Sequence, residues 1–511
     1  MEEFLYSFFV DPFVSLGENL AAATGVLDVI DAVDGFVWGP IMILLLLFTH
    51  ILMTIKTGFI QRKLGTAIKL SVSKDDPKKS EGDISQFGAL TTALAATIGT
   101  GNIVGVGTGL LFGGPGAIFW MWITGVLGMA TKYAEVYLGV RFRVKDHKGQ
   151  MLGGTMYACE RGFKRKKVGK TLAVLFAIFA SLAAFGIGAS TQSNSLADAL
   201  HSTTLIDTTS IPQWLIGAIV VVLVAVVILG GVKRISVVCE KLVPVMAIFY
   251  TACCIIIIGM NYEFIGEALR QIIVGAFTPQ GAAGGAIGAT LTMALQYGFK
   301  RGIFSNESGM GSAPLVASSA VTRNPARQAL VSMTGTFWDT VVVCAITGLM
   351  LMTTVLAHPE IASAVASGDI GSGAALATAA FESIPVFGPI VLLVGLLTFT
   401  YSTMLGWSRY GNRAISYLFG KKAVIPYYIV FLLFVFWGCM MVGDAPELAS
   451  VANLSSIVWD FADVMNALMA VPNCICLIAL SALIAKETKY YVFDGHLEET
   501  DNTVIPQYDN K

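Results

Sequence analysis

Eleven apolar runs of roughly spanning length, about 20 residues each, divide a chain of 511 residues, and nothing else in it limits the fold as tightly. They lie near 38–56, 87–112, 116–140, 168–195, 212–231, 238–259, 283–315, 326–356, 386–407, 424–442 and 456–485. In hydrocarbon every backbone amide and carbonyl needs an internal partner, so runs of this length and character are helices. The charged fraction is 13%, roughly half the usual value for a soluble domain. The expected fold class is an all-α integral membrane protein with 11 transmembrane helices, its standing partner the lipid bilayer. Nucleotide loops are absent from the sequence, and nucleic acid is not an expected partner.

Lysine and arginine set the orientation. Alternate connections hold seven in 56–86, eleven in 132–170, three in 231–241, two in 316–327, four in 408–423 and three beyond 485, together 30 of the 33. Only Arg270 falls clearly on the other side. Positive residues stay in the cytoplasm, so the N-terminus is expected outside and the C-terminus inside a prokaryotic cell (inner) membrane. Residues 1–37 carry seven acidic residues and no Lys or Arg, the reverse of a secretory leader's basic start. They read as a retained extracellular arm, with Phe4, Tyr6, Phe8, Phe9 and Phe13 suited to short interfacial helices. The eight cysteines fall mostly in apolar segments without zinc or disulfide spacing, as small buried hydrophobes do.

Inside the second run, Ala95-Ala96-Thr97-Ile98-Gly99-Thr100-Gly101-Asn102-Ile103 is too polar for the middle of a bilayer helix. Glycine lets the backbone leave helical geometry, and freed carbonyls and amides are what a broken helix uses to hold an ion or a charged solute. Beyond the break, Gly101, Gly105, Gly109 and Gly113 recur every four residues. They form one helix face open to close approach by a neighbour.

The seventh run holds a second anomaly, Tyr297 through Pro314, with Lys300 and Arg301 inside it. At about 1.5 Å per residue, a helix entering near Ala283 is only at the middle of the bilayer by Gly298. Either the helix ends at Lys300 as a cytoplasmic flank, or it breaks at Gly298 to Gly302 and resumes to Pro314, leaving Arg301 to pair with Glu307 or Asp339. The second reading carries further. Each interrupted run opens a set of five, an odd set followed by a like set lies upside down, and paired interruptions in inverted halves point to a midplane binding site of a secondary transporter. The expected organisation is an extracellular arm 1–37, an extra helix 38–60, a first inverted repeat 84–260, a second 283–486 and a cytoplasmic tail 487–511.

Gly99-Thr-Gly-Asn-Ile-Val-Gly105, Arg301-Gly-Ile-Phe-Ser-Asn-Glu-Ser-Gly309 and Ser402-Thr-Met-Leu-Gly-Trp407 resemble, in order and spacing, segments of the alanine/glycine:cation symporter family. The likeness covers nearly all of 38–485. It implies a LeuT-type 5+5 inverted repeat (spans 2–11) with one extra N-terminal helix, importing alanine and/or glycine with sodium by alternating access. Ala96 to Asn102 is also similar to the unwound first core helix of the neurotransmitter:sodium symporters, except for the threonines at 97 and 100.

These likenesses imply roles. The solute's carboxylate would meet the amides about Gly99 and Gly101, where the helix dipole favours an anion. Its ammonium would face carbonyls near Thr97 and Ile98 and, in the seventh run, near Gly302. Gln192 either reaches the same solute or simply ends its helix. One sodium site would join the Ser402 and Thr403 hydroxyls to the carbonyls of Ala95, Ile98 and Phe399, although such hydroxyls also bond their own i−4 carbonyls. A second would use Thr97, Asn102 and the solute's carboxylate. Phe299, Phe304 and Trp407 would wall the side chain. For Asp339 the choices are a structural pair with Arg301, proton coupling or a sodium ligand. A proton-coupled symporter, or sodium-coupled transport of glutamine or serine, is the alternative function. An enzyme is not expected, because the five histidines lie at span ends or in loops. A functional monomer is expected.

Overall fold

Helices fill the computed structural model, which describes residues 33–73, 75, 80–201, 211–278, 291–385, 387–442 and 454–508. The interfacial helices expected at Phe4 to Phe13, and the start of the seventh run, lie outside the described residues. Seven described helices are long and apolar enough to cross a membrane by themselves: Val33–Lys56, Lys166–His201, Gly231–Met260, Pro325–Ala357, Phe387–Phe419, Lys421–Met440 and Val458–Ala479.

The elements that build the site are α1 (Pro40–Lys56), α2 (Gln86–Thr97), α3 (Val104–Gly113), α4 (Pro115–Arg141), α5 (Lys166–Phe185), α6 (Thr191–His201), α7 (Gln213–Ile228), α8 (Gly231–Met260), α9 (Leu291–Asn306), α10 (Pro325–Thr336), α11 (Ala345–Ala357), α12 (Phe387–Phe419), α13 (Val424–Met440) and α14 (Leu454–Ala479). Their starts follow local chemistry. Ser85 caps α2 by accepting from the Gly88 N–H at 2.8 Å, and Asn324 caps α10, with Pro325 in the first turn. Both devices suit groups that no helical partner reaches.

The second run breaks where its polar stretch lies. α2 stops at Thr97, Ile98 is extended (ψ 95°), Thr100–Asn102 make one tight turn and α3 resumes at Val104. The glycine stripe then finds its neighbour. A Cβ built on Gly101 would lie 3.1 Å from the Ser305 Cα, on Gly105 4.0 Å from the Arg301 Cδ, on Gly109 3.9 Å from the Arg301 Cβ and on Gly113 2.8 Å from the Tyr297 Cβ. Residue numbers rise along α3 as they fall along α9, so the two interrupted runs pack against each other antiparallel.

The seventh run corrects the expectation. α9 passes unbroken through Gly298 to Gly302. Those glycines let the helix approach α4, since a Cβ on Gly298 would lie 2.6 Å from the Ala117 carbonyl oxygen and one on Gly302 3.3 Å from the Met121 Cα. The interruption comes later, after Asn306, where Glu307 (φ 55°), Gly309 (φ 96°) and Gly311 (φ 76°) take left-handed conformations before the single turn Pro314–Ala317. Glycine adopts that geometry without steric cost.

On the basic side, the chain's end ties the halves together. The hairpin Val144–Lys145/Met151–Leu152 receives the tail: the Lys145 N–H donates to the Pro506 carbonyl (2.9 Å) and the Tyr508 N–H to the Lys145 carbonyl (2.8 Å). The same tail takes hydrogen bonds from the Asn324 side chain at the carbonyls of Leu497 (2.9 Å) and Glu499 (2.8 Å). All eight cysteines are buried and free.

Candidate functional site

The first interruption is closed by side chains. Asn102 Oδ1 accepts from the Gly99 N–H (2.9 Å), while its Nδ2 donates to Asp339 Oδ1 (2.8 Å). Gln192 accepts from the Thr100 N–H (3.3 Å) and donates to the Thr100 hydroxyl (3.1 Å) and the Ile187 carbonyl (2.9 Å). It stands at the start of α6 just past the π-turn Gly186–Ser190, which re-aims the fourth run's side chains toward the break. Asp339 lies in a second π-turn, Phe337–Cys344, and also accepts from the hydroxyls of Ser305 (2.9 Å) and Thr340 (2.6 Å). Every one of these residues is buried; Asn102, Thr100, Ser305, Asp339 and Thr340 are wholly so.

α12 supplies hydroxyls from the other side. The Thr403 hydroxyl lies 3.2 Å from the Ile98 carbonyl oxygen and 2.9 Å from that of Phe399, and the Ser402 hydroxyl donates to the Phe399 carbonyl at 2.9 Å. The single Thr403 hydroxyl proton thus has two acceptors in reach, the i−4 carbonyl of its own helix and a carbonyl of the broken run. A Cβ on Gly99 would lie 2.5 Å from the Thr403 hydroxyl oxygen and 3.1 Å from Gln192 Oε1, so only glycine leaves room for both. The Thr97 hydroxyl turns back to the Leu94 carbonyl (3.3 Å).

A family model described as the sodium:alanine symporter family matches residues 23–504. The chain belongs to that family. A sodium/alanine symporter, AgcS of Methanococcus maripaludis, is 46% identical over 464 residues, covering 90% of this chain and 96% of its own. A Bacillus subtilis protein named as a probable sodium/glutamine symporter, GlnT, is 32% identical over 466 residues, covering 91% and 90%. The crystal structure of MhsT in complex with L-phenylalanine aligns with a TM-score of 0.51 over 80% of this chain and 99% of that one, at 15% identity. The fold of this symporter-family chain is therefore LeuT-type, in a multi-pass membrane protein.

Several residues of this family member sit elsewhere than the sequence suggested. Arg301 pairs with neither Glu307 nor Asp339. It faces Asp463 of α14 (3.4 Å) and stacks over Phe304 and Trp459, while Lys300 binds Asp34 (2.6 Å) and Asp463 (2.8 Å). The reason is the unbroken α9, which turns both cations toward α14 and away from the interruption. Glu307 accepts instead from the Ser312 hydroxyl. Phe299 packs on Trp120 (ring centroids 6.2 Å), and Gly302 lies on the α4 side, so neither borders the first break. Phe304 does: its Cδ1 would be 3.2 Å from a Cβ on Gly101. Trp407 lies over Gly188 beside the Gln192 turn, and its indole N–H has no hydrogen-bond partner among the described residues. Ser305, Thr340 and Asp463 were missed. Asp463 had a signal, a carboxylate within an apolar run, whereas Ser305 and Thr340 look like any helix hydroxyl.

Proposed function

We propose that the protein is a secondary active transporter that imports a small neutral amino acid, alanine foremost, with sodium. The observation that supports this most is the Thr403 hydroxyl set between the Ile98 and Phe399 carbonyls, because sodium is hard and takes oxygen ligands from carbonyls and hydroxyls. In this reading Ala95, Ile98 and Phe399 offer carbonyls and Ser402 and Thr403 hydroxyls to one ion. Thr97 and Asn102, with the solute's carboxylate, serve a second. The solute's carboxylate takes the Gly99 N–H from Asn102 and the Thr100 N–H from Gln192, with Gly101 next to it, and its ammonium turns to the Thr97 and Ile98 carbonyls. Phe304 and Trp407 limit the side chain. The Lys300–Arg301–Asp34–Asp463 lattice closes the outer side in alternating access, with the N-terminus outside and the tail in the cytoplasm of a prokaryotic cell, and the monomer as the working unit.

Uptake of labelled alanine into proteoliposomes, driven by a sodium gradient with and without a proton gradient, tests the proposal. Sodium-driven uptake that ignores the proton gradient is expected. Uptake indifferent to sodium and driven by protons would replace it with proton coupling. Competition by glycine, serine, D-alanine and glutamine ranks the substrates, and glutamine outcompeting alanine would move the assignment to that amino acid.

A further inference from the structure

A second buried ionic cluster lies toward the basic face, apart from Ser402 and Thr403. Lys132 and Glu135 stand one turn apart on α4 and are 3% and 2% exposed, and Glu307, at the second interruption, is fully buried. Tyr410, also fully buried, lies seven residues past Thr403 on α12, hence on the same helix face about 10 Å further along. The cluster is knit to one loop. Glu135 Oε1 accepts from the Gly309 N–H (2.8 Å), the Gly311 N–H (3.0 Å) and Asn473 Nδ2 (2.7 Å), and Glu307 Oε2 accepts from Ser312.

Four buried polar atoms of this cluster have no hydrogen-bond partner among the described residues: Glu135 Oε2, Glu307 Oε1, the Tyr410 hydroxyl and Lys132 Nζ. They gather on one loop: Glu307 opens it, Glu135 holds its Gly309 and Gly311 N–H groups, and Lys132 lies one turn before Glu135 on α4. Unpaired polar groups are costly where water is excluded. The charges do not balance either. With both ionised, two carboxylates face one ammonium, and the Asp339 carboxylate already has both oxygens filled by Asn102, Ser305 and Thr340. One monovalent cation with oxygen ligands removes the excess charge and uses three of the four orphaned atoms. A divalent ion would leave the cluster positive.

We propose that Glu135, Glu307 and Tyr410 hold a sodium ion on its way between Thr403 and the basic face, with Lys132 as the tethered cation that displaces it. An ammonium on a flexible four-carbon stem suits that exchange. The proposal rests on the sodium-coupled reading above.

Equilibrium binding of radiolabelled sodium to the full chain in lipid nanodiscs, without amino acid, tests it. Ser402→Ala with Thr403→Ala is expected to remove part of the binding and leave a saturable remainder. Adding Glu307→Gln or Tyr410→Phe should weaken that remainder at least about tenfold, and Lys132→Met should strengthen it by about tenfold. No remainder in the double variant, or one that both additions leave unchanged, overturns the site. Tyr410→Phe keeps the ring and removes one oxygen, so it carries the test if Glu307→Gln does not fold by gel filtration. Wild type that binds no sodium, with alanine uptake indifferent to it, would instead remove the parent reading; sodium-driven uptake with an unchanged remainder removes this site alone.

Discussion

The two interruptions are held open by opposite means. At Ile98 to Ile103 no left-handed residue is needed, and two neutral amides, Asn102 and Gln192, occupy the Gly99 and Thr100 N–H groups. At Glu307 to Ala313 three left-handed residues bend the chain, and the Glu135 carboxylate clamps two N–H groups at once. A neutral amide gives up its hydrogen bond to an arriving carboxylate more readily than a carboxylate gives up two, since hydrogen bonds to charged groups are roughly twice as strong. The first break is thus suited to exchange partners and the second to stay fixed as its frame.

The most severe test of that division is Gly101→Leu. With Ser305 and Phe304 already 3.1 and 3.2 Å from a Cβ there, the side chain forces the first break off its frame, and alanine uptake should vanish while membrane insertion, checked by fluorescence gel filtration, persists. Glu135→Ala should come next. It strands two N–H groups and Asn473, each worth about 1–3 kcal/mol when buried, and a thermal midpoint lowered by several degrees is expected; an unchanged midpoint would mean that the second break is not clamped. Asn102→Ala frees the Gly99 N–H but loses the bond to Asp339, about 1.5–3 kcal/mol, so uptake should fall at least about tenfold with a smaller change in midpoint. The smallest effect is expected from Gln192→Ala, about 1 kcal/mol or roughly fivefold in the KM for alanine. If Gln192→Ala lowered the midpoint as much as Glu135→Ala, the contrast between exchangeable and fixed breaks would be lost.

What could be read from the chain follows the same line. The first break was legible because glycine, threonine and asparagine have no cheap place in an apolar run, and its glycine stripe correctly announced a close neighbour. The second was displaced because a glycine in a helix looks alike whether it admits a neighbour, as Gly298 and Gly302 do, or bends the chain, as Gly309 and Gly311 do. Lys300 and Arg301 find Asp34 and Asp463, far off in sequence, and spacing says nothing of such pairs. Lys132 was counted with a basic connection, yet α4 carries it into the interior at 3% exposure. The α3–α9 contact, by contrast, was written in one residue type at one spacing.

Cys344 turns its burial into a clock. Its sulfur lies 3.2 Å from Asn102 Nδ2 and 3.2 Å from the Ser305 hydroxyl, and the other seven thiols are buried too. A small alkylating reagent therefore meets no thiol at the surface, and the pace at which it labels Cys344, read at that residue by peptide mass spectrometry, measures how often the first break opens to water. Sodium and alanine, added in turn, would each reset that pace without any label having been engineered into the chain.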